Sequence, residues 1–477
     1  MKDLVRDIIR DLESRGARYV DARLSTLSTE DVKVRNGSVE TLSSGVERGI
    51  GIRVLAGNGW GFAGDSDDSE AALRRAADRA LEAARASHIT ASRDIVLSPV
   101  DPVEGAWASR YAIDPFSIPT DRKLDHLLSA TEPLRSDDRI HQVSGEISTF
   151  RLEKIFASSD GSWIEQATTE MGAGIEVIAI EGDEFQRRSF PNSAGGDFQA
   201  RGWEFVEELD LIGNGPRIRD EALALLSAPK APAGIHDLII GSSQLALQVH
   251  ESCGHPTELD RALGWEMSLA GGSFLQPEML GRLQYGSPIV NLVADATVPG
   301  AIGSFGWDDE GVPAKRYHLV KDGVFVDYLS GRDTAPLIGR ASNGNVRGET
   351  ASAYPMIRMT NISLDAGTTP REELFAGVKK GIYVDTNKSW SIDDLRLNFQ
   401  FSCEVAWEIE NGRVGRMLKN PIYTGSTPKF WGSCDAIGDA STWRIWGLPN
   451  CGKGDPIQTM RMAHGAPVAR FRGVEMG

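Results

Sequence analysis

A chain of 477 residues is too long for one hydrophobic core and points to two or three domains. Its 41% hydrophobic and 25% charged residues are those of a soluble globular protein, and no apolar run reaches the roughly eighteen residues of a membrane span. The formal charge of −16 repels nucleic acid and anionic membrane surfaces, so neither is expected as a partner.

The N-terminus carries acids where a signal peptide needs an apolar core, which favours a cytoplasmic location. Residues 3–15 read as an amphipathic helix with Leu4, Val5, Ile8, Ile9 and Leu12 on one stripe, ended by Gly16. Short strands follow at 19–25, 31–36, 39–44, 49–56 and 59–63, with hairpin turns at Asn36-Gly37 and Gly57-Asn58-Gly59. The glycine-rich stretch 57–64 lacks the Lys-Ser/Thr end of a phosphate loop and reads as a hairpin. An Ala-rich helix spans 67–87, capped by Asp68 or Ser69, and another spans 120–130, where His126 reads as a surface residue. Period-two alternation from 142 to 188 predicts long antiparallel strands, and a helix over 216–226 has Pro216 in its first turn. The Pro- and Ala-rich segment 228–234 is the best domain boundary. Beyond it come a strand at 235–240, a turn, and a helix from 244 to 254. Short segments, mostly strand, fill the remainder, and the three acids Asp308, Asp309 and Glu310 read as a solvated or structural turn. The pattern predicts an α+β fold. Residues 1–227 form an N-terminal α/β domain, with a mostly antiparallel sheet and flanking helices, serving as substrate or dimer scaffold. Residues 235–477 form a β-rich C-terminal catalytic domain that carries the metal-site helix.

That helix ends in His250-Glu251-Ser252-Cys253-Gly254-His255, two of the eight histidines of the chain bracketing a glutamate. Imidazole nitrogen is a good Zn²⁺ ligand, and an adjacent glutamate that does not ligate can take a proton from water. The two histidines are five residues apart, which on a regular α-helix turns them roughly 140° away from each other. One metal can hold both only if the helix deforms or ends between them. Gly254 tolerates the deformation, and Pro256 can neither donate to the carbonyl of Ser252 nor favour an α conformation at His255, so a π-bulge or a helix end is expected. A catalytic zinc usually has a third protein ligand. Glu258, Asp260, His464 and the four cysteines 253, 403, 434 and 451 are candidates, and none of the cysteines has Cys-x-x-Cys spacing. Cys253 would be strained beside both histidines, and Cys403 reads as a buried thiol. Cys451 lies in a glycine-rich loop whose backbone amides and Lys453 are expected to favour thiolate. On the residues alone the choice stays open.

The chain resembles the TldD/PmbA family of metallopeptidases, in its zinc-bearing TldD-like branch. The resemblance runs through Gly49-Ile50-Gly51-Ile52-Arg53-Val54, Gly59-Trp60-Gly61-Phe62-Ala63, His250-Glu251 with Gly254-His255, Glu258, Asp260, Asp308-Asp309-Glu310-Gly311, Arg358-Met359-Thr360-Asn361 and Cys451-Gly452-Lys453. It implies Zn²⁺ on His250, His255 and Cys451, with Glu251 as the catalytic residue. It also implies a dimer of identical chains, or a heterodimer with a related subunit lacking the metal motif. The implied activity is hydrolysis of unfolded or extended peptides, including the trimming of peptide-antibiotic leaders. Glu258 or Asp260 is placed to orient a ligand histidine, and Arg358 and Asn361 to hold substrate backbone. Two other functions compete: a non-catalytic peptide-binding partner subunit and a zinc amidase acting on a small molecule.

Overall fold

The computed structural model describes residues 1–269 and 271–477. Helix α1 (Lys2–Ser14) buries Val5, Ile8, Ile9 and Leu12 as the apolar stripe predicts. The strands after it are longer than the sequence suggests. β1 (Tyr19–Arg35) and β2 (Ser38–Ala56) each fuse two expected short strands. β1 is paired to β2 on one side and to β5 (Ile140–Ser158) on the other, and these partners keep its polar middle extended. β3 is Gly59–Asp65, α2 is Glu70–Ile89 with the Ser69 hydroxyl as cap, and β4 is Glu104–Ala108. α3 (Thr120–Thr131), β6 (Trp163–Glu181), β7 (Glu184–Phe190) and β8 (Asp197–Gln199) follow. These strands make one sheet in the order β3-β2-β1-β5-β6-β4, with β7 and β8 also on β6.

α1 and α2 cover one part of this sheet; α3, α4 (Trp203–Leu209) and α5 (Leu211–Ser227) cover another. α5 starts earlier than Pro216 implies, because the Asp210 carboxylate accepts from the backbone of Gly213 at 3.0 Å and caps it there; the proline lies inside the helix. His126 is half-buried against Trp203, ring centroids 5.6 Å apart, rather than out in solvent. The glycines of β2 and β3 allow close approach. A Cβ on Gly61 would lie 2.0 Å from the carbonyl oxygen of Ala80 in α2, and one on Gly51 would lie 1.9 Å from that of Ala351.

After the linker, β9 (Gly234–Ile240) opens a seven-stranded sheet. Five strands close into a ring: β9, Lys380–Ile392, Asn398–Glu410, Ile422–Ser426 and Ala469–Met476. α6 (Ser242–Val249) is buried all round and joins a core with Phe399, Phe401, Tyr423 and Trp431. Its polar Gln244 donates to Tyr423 Oη at 2.8 Å, and that hydroxyl donates to Gln248 Oε1 at 3.0 Å, while Gln248 Nε2 is buried without a partner.

The acidic triplet is a structural turn, and a buried one. Asp309 pairs with Lys154 and, at 3.4 Å, with Arg23, while Glu310 takes Arg53 at 3.0 Å. The acids thus join the C-terminal domain to cations of β1, β2 and β5. Among the described residues, no helix is long and apolar enough to cross a membrane.

Candidate active site

α6 runs directly into the His-Glu motif. There the backbone widens into a π turn over His250–Gly254, with the N–H of His255 bonded to the carbonyl of His250, then tightens to a 3₁₀ turn at His255–Thr257. The extra residue in the turn rotates His255 back towards His250. Three of the carbonyls along the turn find side-chain donors. Tyr285 Oη donates at 2.6 Å to the Ser252 carbonyl that Pro256 cannot serve, and Thr257 Oγ1 reaches the carbonyls of Cys253 at 2.7 Å and Gly254 at 2.9 Å. A Cβ at position 254 would lie 2.0 Å from Met359 Sδ, so a larger residue there requires the buried Met359 side chain to move.

Cys451 arrives from far downstream, on the strand Arg444–Lys453 rather than in the expected loop. That strand pairs with Gln458–Ala466, and its register slips between Leu448 and Cys451, which accommodates Pro449. The ligand-capable atoms of His250, His255 and Cys451 all lie within 4.8 Å of one another. Cys451 Sγ is 3.5 Å from His255 Nε2, and the two imidazoles stand at 81° with centroids 4.7 Å apart.

The surrounding hydrogen bonds fix which nitrogens are free. His464 Nδ1 is 3.0 Å from the carbonyl of Ile362, which can only accept, so the His464 proton sits on Nδ1. Burial pushes this imidazole down to about 4, so it is neutral and its Nε2 is an acceptor. His250 Nδ1, 2.8 Å away, donates to it. His255 Nδ1 has two contacts, Glu258 at 3.0 Å and the guanidinium of Arg261 at 3.4 Å; the shorter, to a carboxylate that can only accept, makes this nitrogen the donor. Both motif histidines therefore keep an Nε2 lone pair, and burial, with neighbouring cations, holds both well below the usual imidazole range. His464, weighed in the sequence as a ligand, stands behind His250 as its orienting partner.

Glu258 belongs to a buried charge cluster. Arg261 Nε reaches it at 2.7 Å and Lys453 Nζ lies 3.4 Å away; Lys453 also donates to both oxygens of Asp260 at 2.8 Å and to the carbonyl of Ile357 at 2.7 Å. Burial alone would raise the Glu258 carboxyl, but the Lys453 ammonium, the hydrogen bond from His255 and the Arg261 guanidinium hold it well below the usual range. Burial raises Asp260 despite Lys453. Lys453 is thus committed to carboxylates and is not the thiol-acidifying group the sequence suggests. Burial pushes the Cys451 thiol up to about 11, with Arg358 only partly offsetting it. A metal ion would have to displace that proton.

Glu251 lies at a cavity of about 390 Å³ that both motif histidines and Cys451 also line. Residues 192–194 of the N-terminal half form part of its wall. Burial raises the Glu251 carboxyl, while Arg396 and Trp390 pull it back. Arg358 and Asn361 are fully buried and do not line this cavity. Arg358 donates to the carbonyls of Cys451 and Gln458, and Asn361 to the carbonyl of Asp295 at 2.6 Å and to Ser304 at 2.9 Å. Neither side chain is available to touch substrate in this structure; Arg358 instead steadies the strand that carries Cys451. Trp390 and Arg396 escaped the sequence reading, because nothing local to them marks their approach to Glu251.

Two neutral imidazoles and a thiol converging beside a carboxylate are the donor set of a metal centre suited to an ion that prefers nitrogen and sulfur. Such a donor set beside a carboxylate is one that metallopeptidases use. Models of the PmbA/TldA metallopeptidase match residues 20–84 as domain 1, 113–226 as the central domain and 234–477 as the C-terminal domain. The chain belongs to the PmbA/TldD metallopeptidase family. A metalloprotease of Synechocystis sp. is 31% identical over 469 residues, 97% of this chain and 95% of that one. A metalloprotease TldD homolog of Haemophilus influenzae is 28% identical over 474 residues, 98% of this chain and 94% of that one. The crystal structure of TldE from Thermococcus kodakarensis shares the fold with a TM-score of 0.74 at 17% identity, covering 99% of this chain and 100% of that one.

Proposed function

We propose that the protein is a zinc-dependent metallopeptidase acting on unfolded or extended peptides. The observation that carries this is the pair of oriented imidazoles: His464 and Glu258 each accept a hydrogen bond from an Nδ1–H, leaving two Nε2 lone pairs beside the Cys451 thiol. A peptide-holding subunit has no use for imidazoles prepared in this way. Zn²⁺ held by His250, His255 and Cys451 would supply a Lewis acid that polarises the scissile carbonyl and lowers the pKa of water. Glu251 takes a proton from the attacking water and passes it to the leaving amine. With one thiolate among its ligands, the loaded centre would carry a formal charge of +1.

The strand Arg444–Lys453 is hydrogen-bonded to one neighbour in a two-stranded sheet, and its residues 446–452 line the cavity. An extended peptide can lie along these cavity-lining residues, a mode tolerant of side-chain sequence and suited to unfolded substrates or antibiotic leaders. We place the enzyme in the cytoplasm as a dimer, of identical chains or with a related subunit lacking the metal motif. The test pairs two variants. Glu251→Gln is expected to keep its zinc and lose about 100-fold or more of its peptide cleavage, and Cys451→Ala to lose stoichiometric zinc. Normal cleavage of an unfolded protein by metal-replete Glu251→Gln would overturn the assignment. Cleavage of small amides in preference to peptides would favour the amidase instead.

A further inference from the structure

Glu251 is gripped on both oxygens. Oε1 accepts from Trp390 Nε1 at 2.9 Å and Oε2 from Arg396 Nη1 at 2.5 Å. Among the described residues lining the cavity, Arg396 is the only lysine or arginine. Its bond to Glu251 is its sole side-chain hydrogen bond among the described residues, and its Nε is buried without a partner. The backbone is shaped to present it. Arg396 has φ +65°, a left-handed conformation that long side chains rarely adopt. The turn is fixed by Asp393, whose carbonyl accepts from Arg396 N at 2.9 Å and whose carboxylate accepts from Leu397 N at 2.8 Å and Asn398 N at 3.0 Å. Thr427 Oγ1 holds the Arg396 carbonyl at 2.9 Å.

We propose that Arg396 is a further catalytic residue, donating to the scissile carbonyl oxygen as that oxygen becomes an oxyanion. The proposal rests on the peptidase reading above. Before attack, the charge of Arg396 is compensated by Glu251. As the water oxygen bonds to the carbonyl carbon, the C=O π pair moves onto oxygen and the water proton passes to Glu251. Arg396 thus loses its counter-ion in the same step that places negative charge on the carbonyl oxygen. Its uncommitted N–H groups then have an anion to serve. On collapse the pair returns from oxygen to carbon, the C–N bond breaks, and the amine leaves with the proton from Glu251. The Glu251–Arg396 pair then re-forms. Net charge is unchanged throughout, and the new contact exists only while the oxyanion does, which is the condition for raising kcat rather than tightening substrate binding.

The test compares Arg396→Gln and Arg396→Lys with the parent enzyme, with zinc content and unfolding temperature measured for each. In zinc-loaded protein carrying Glu251→Gln, calorimetry measures binding of a phosphinic peptide, which mimics the charged tetrahedral species, and of the matching uncleaved peptide. Adding Arg396→Gln should weaken the phosphinic peptide about 100-fold and the uncleaved peptide less than about threefold, with Arg396→Lys between. In otherwise native enzyme, Arg396→Gln should lower kcat with little change in KM. Equal weakening of the two ligands, or of neither, makes Arg396 only the counter-ion of Glu251 and overturns the proposal. Loss of phosphinic-peptide binding in Cys451→Ala but not in Arg396→Gln keeps the metal site and removes Arg396 from the chemistry. Indifference of that binding to both substitutions removes both readings.

Discussion

Replacing Lys453 by Met removes one charge from a sealed set of four. Glu258, Asp260, Arg261 and Lys453 are each at most about a twentieth exposed and together carry no net charge. Without the ammonium, Asp260 loses the donor 2.8 Å from each of its oxygens, the Ile357 carbonyl loses its bond at 2.7 Å, and one negative charge stays uncompensated. Breaking a buried pair in this way costs about 3–5 kcal/mol, a large part of the roughly 5–15 kcal/mol that holds a typical domain folded. Burial already raises Asp260 in the folded state, and the loss of Lys453 raises it further. A carboxylate raised above its unfolded value contributes stability at low pH that disappears as pH rises through the folded value, so the defect of the variant should be greatest at alkaline pH and shrink on acidification. The assay is urea unfolding followed by tryptophan fluorescence at pH 8 and pH 6, on Lys453→Met and on Lys453→Met combined with Asp260→Asn. The double variant restores neutrality and should recover at least half of the loss. A single variant within about 1 kcal/mol of the parent at pH 8, or a double variant no better than the single, would refute the reasoning.

His464→Ala removes the acceptor that fixes the His250 tautomer; zinc affinity, measured by chelator competition, should fall about 10–100-fold while His250, His255 and Cys451 all remain. Asp197→Asn tests a charge away from the metal ligands. Burial pushes the Asp197 carboxyl up to about 7 against the backbone donors of Gly447 and Phe198. The ionised form therefore costs stability at alkaline pH, by up to about 4 kcal/mol. The asparagine keeps an oxygen for both amides, so its unfolding temperature should exceed that of the parent at pH 8.5, with the gap closing towards pH 5.

What the sequence could show depended on distance along the chain. The π turn was legible because its causes are local: the five-residue spacing of His250 and His255, with Gly254 and Pro256 between and beyond. Tyr285, which satisfies the Ser252 carbonyl, was not, since a tyrosine 33 positions away carries no mark of that task. Cys451 read as a loop residue because Pro449, Gly452 and Gly454 dominate local propensity, whereas pairing with the strand Gln458–Ala466 keeps the segment extended. The same override joined the expected strands at 19–25 and 31–36, whose polar middle is held by neighbours on both sides. Arg396, 145 positions from the glutamate it grips, could be found only in three dimensions.

The ion pairs of the acidic triplet bear on how the chain can be divided. Asp309 and Glu310 lie on one side of the linker, and Arg23, Arg53 and Lys154 on the other. A fragment ending at the linker would leave Lys154 without its carboxylate and Arg23 and Arg53 with Asp21 alone, on a surface shaped for another protein, and its complement would carry two carboxylates stripped of those cations. Expressed separately, each piece should be poorly soluble; expressed together from two reading frames, they should reassemble, with opposite charges guiding the encounter and the glycine-smoothed strands setting the final fit.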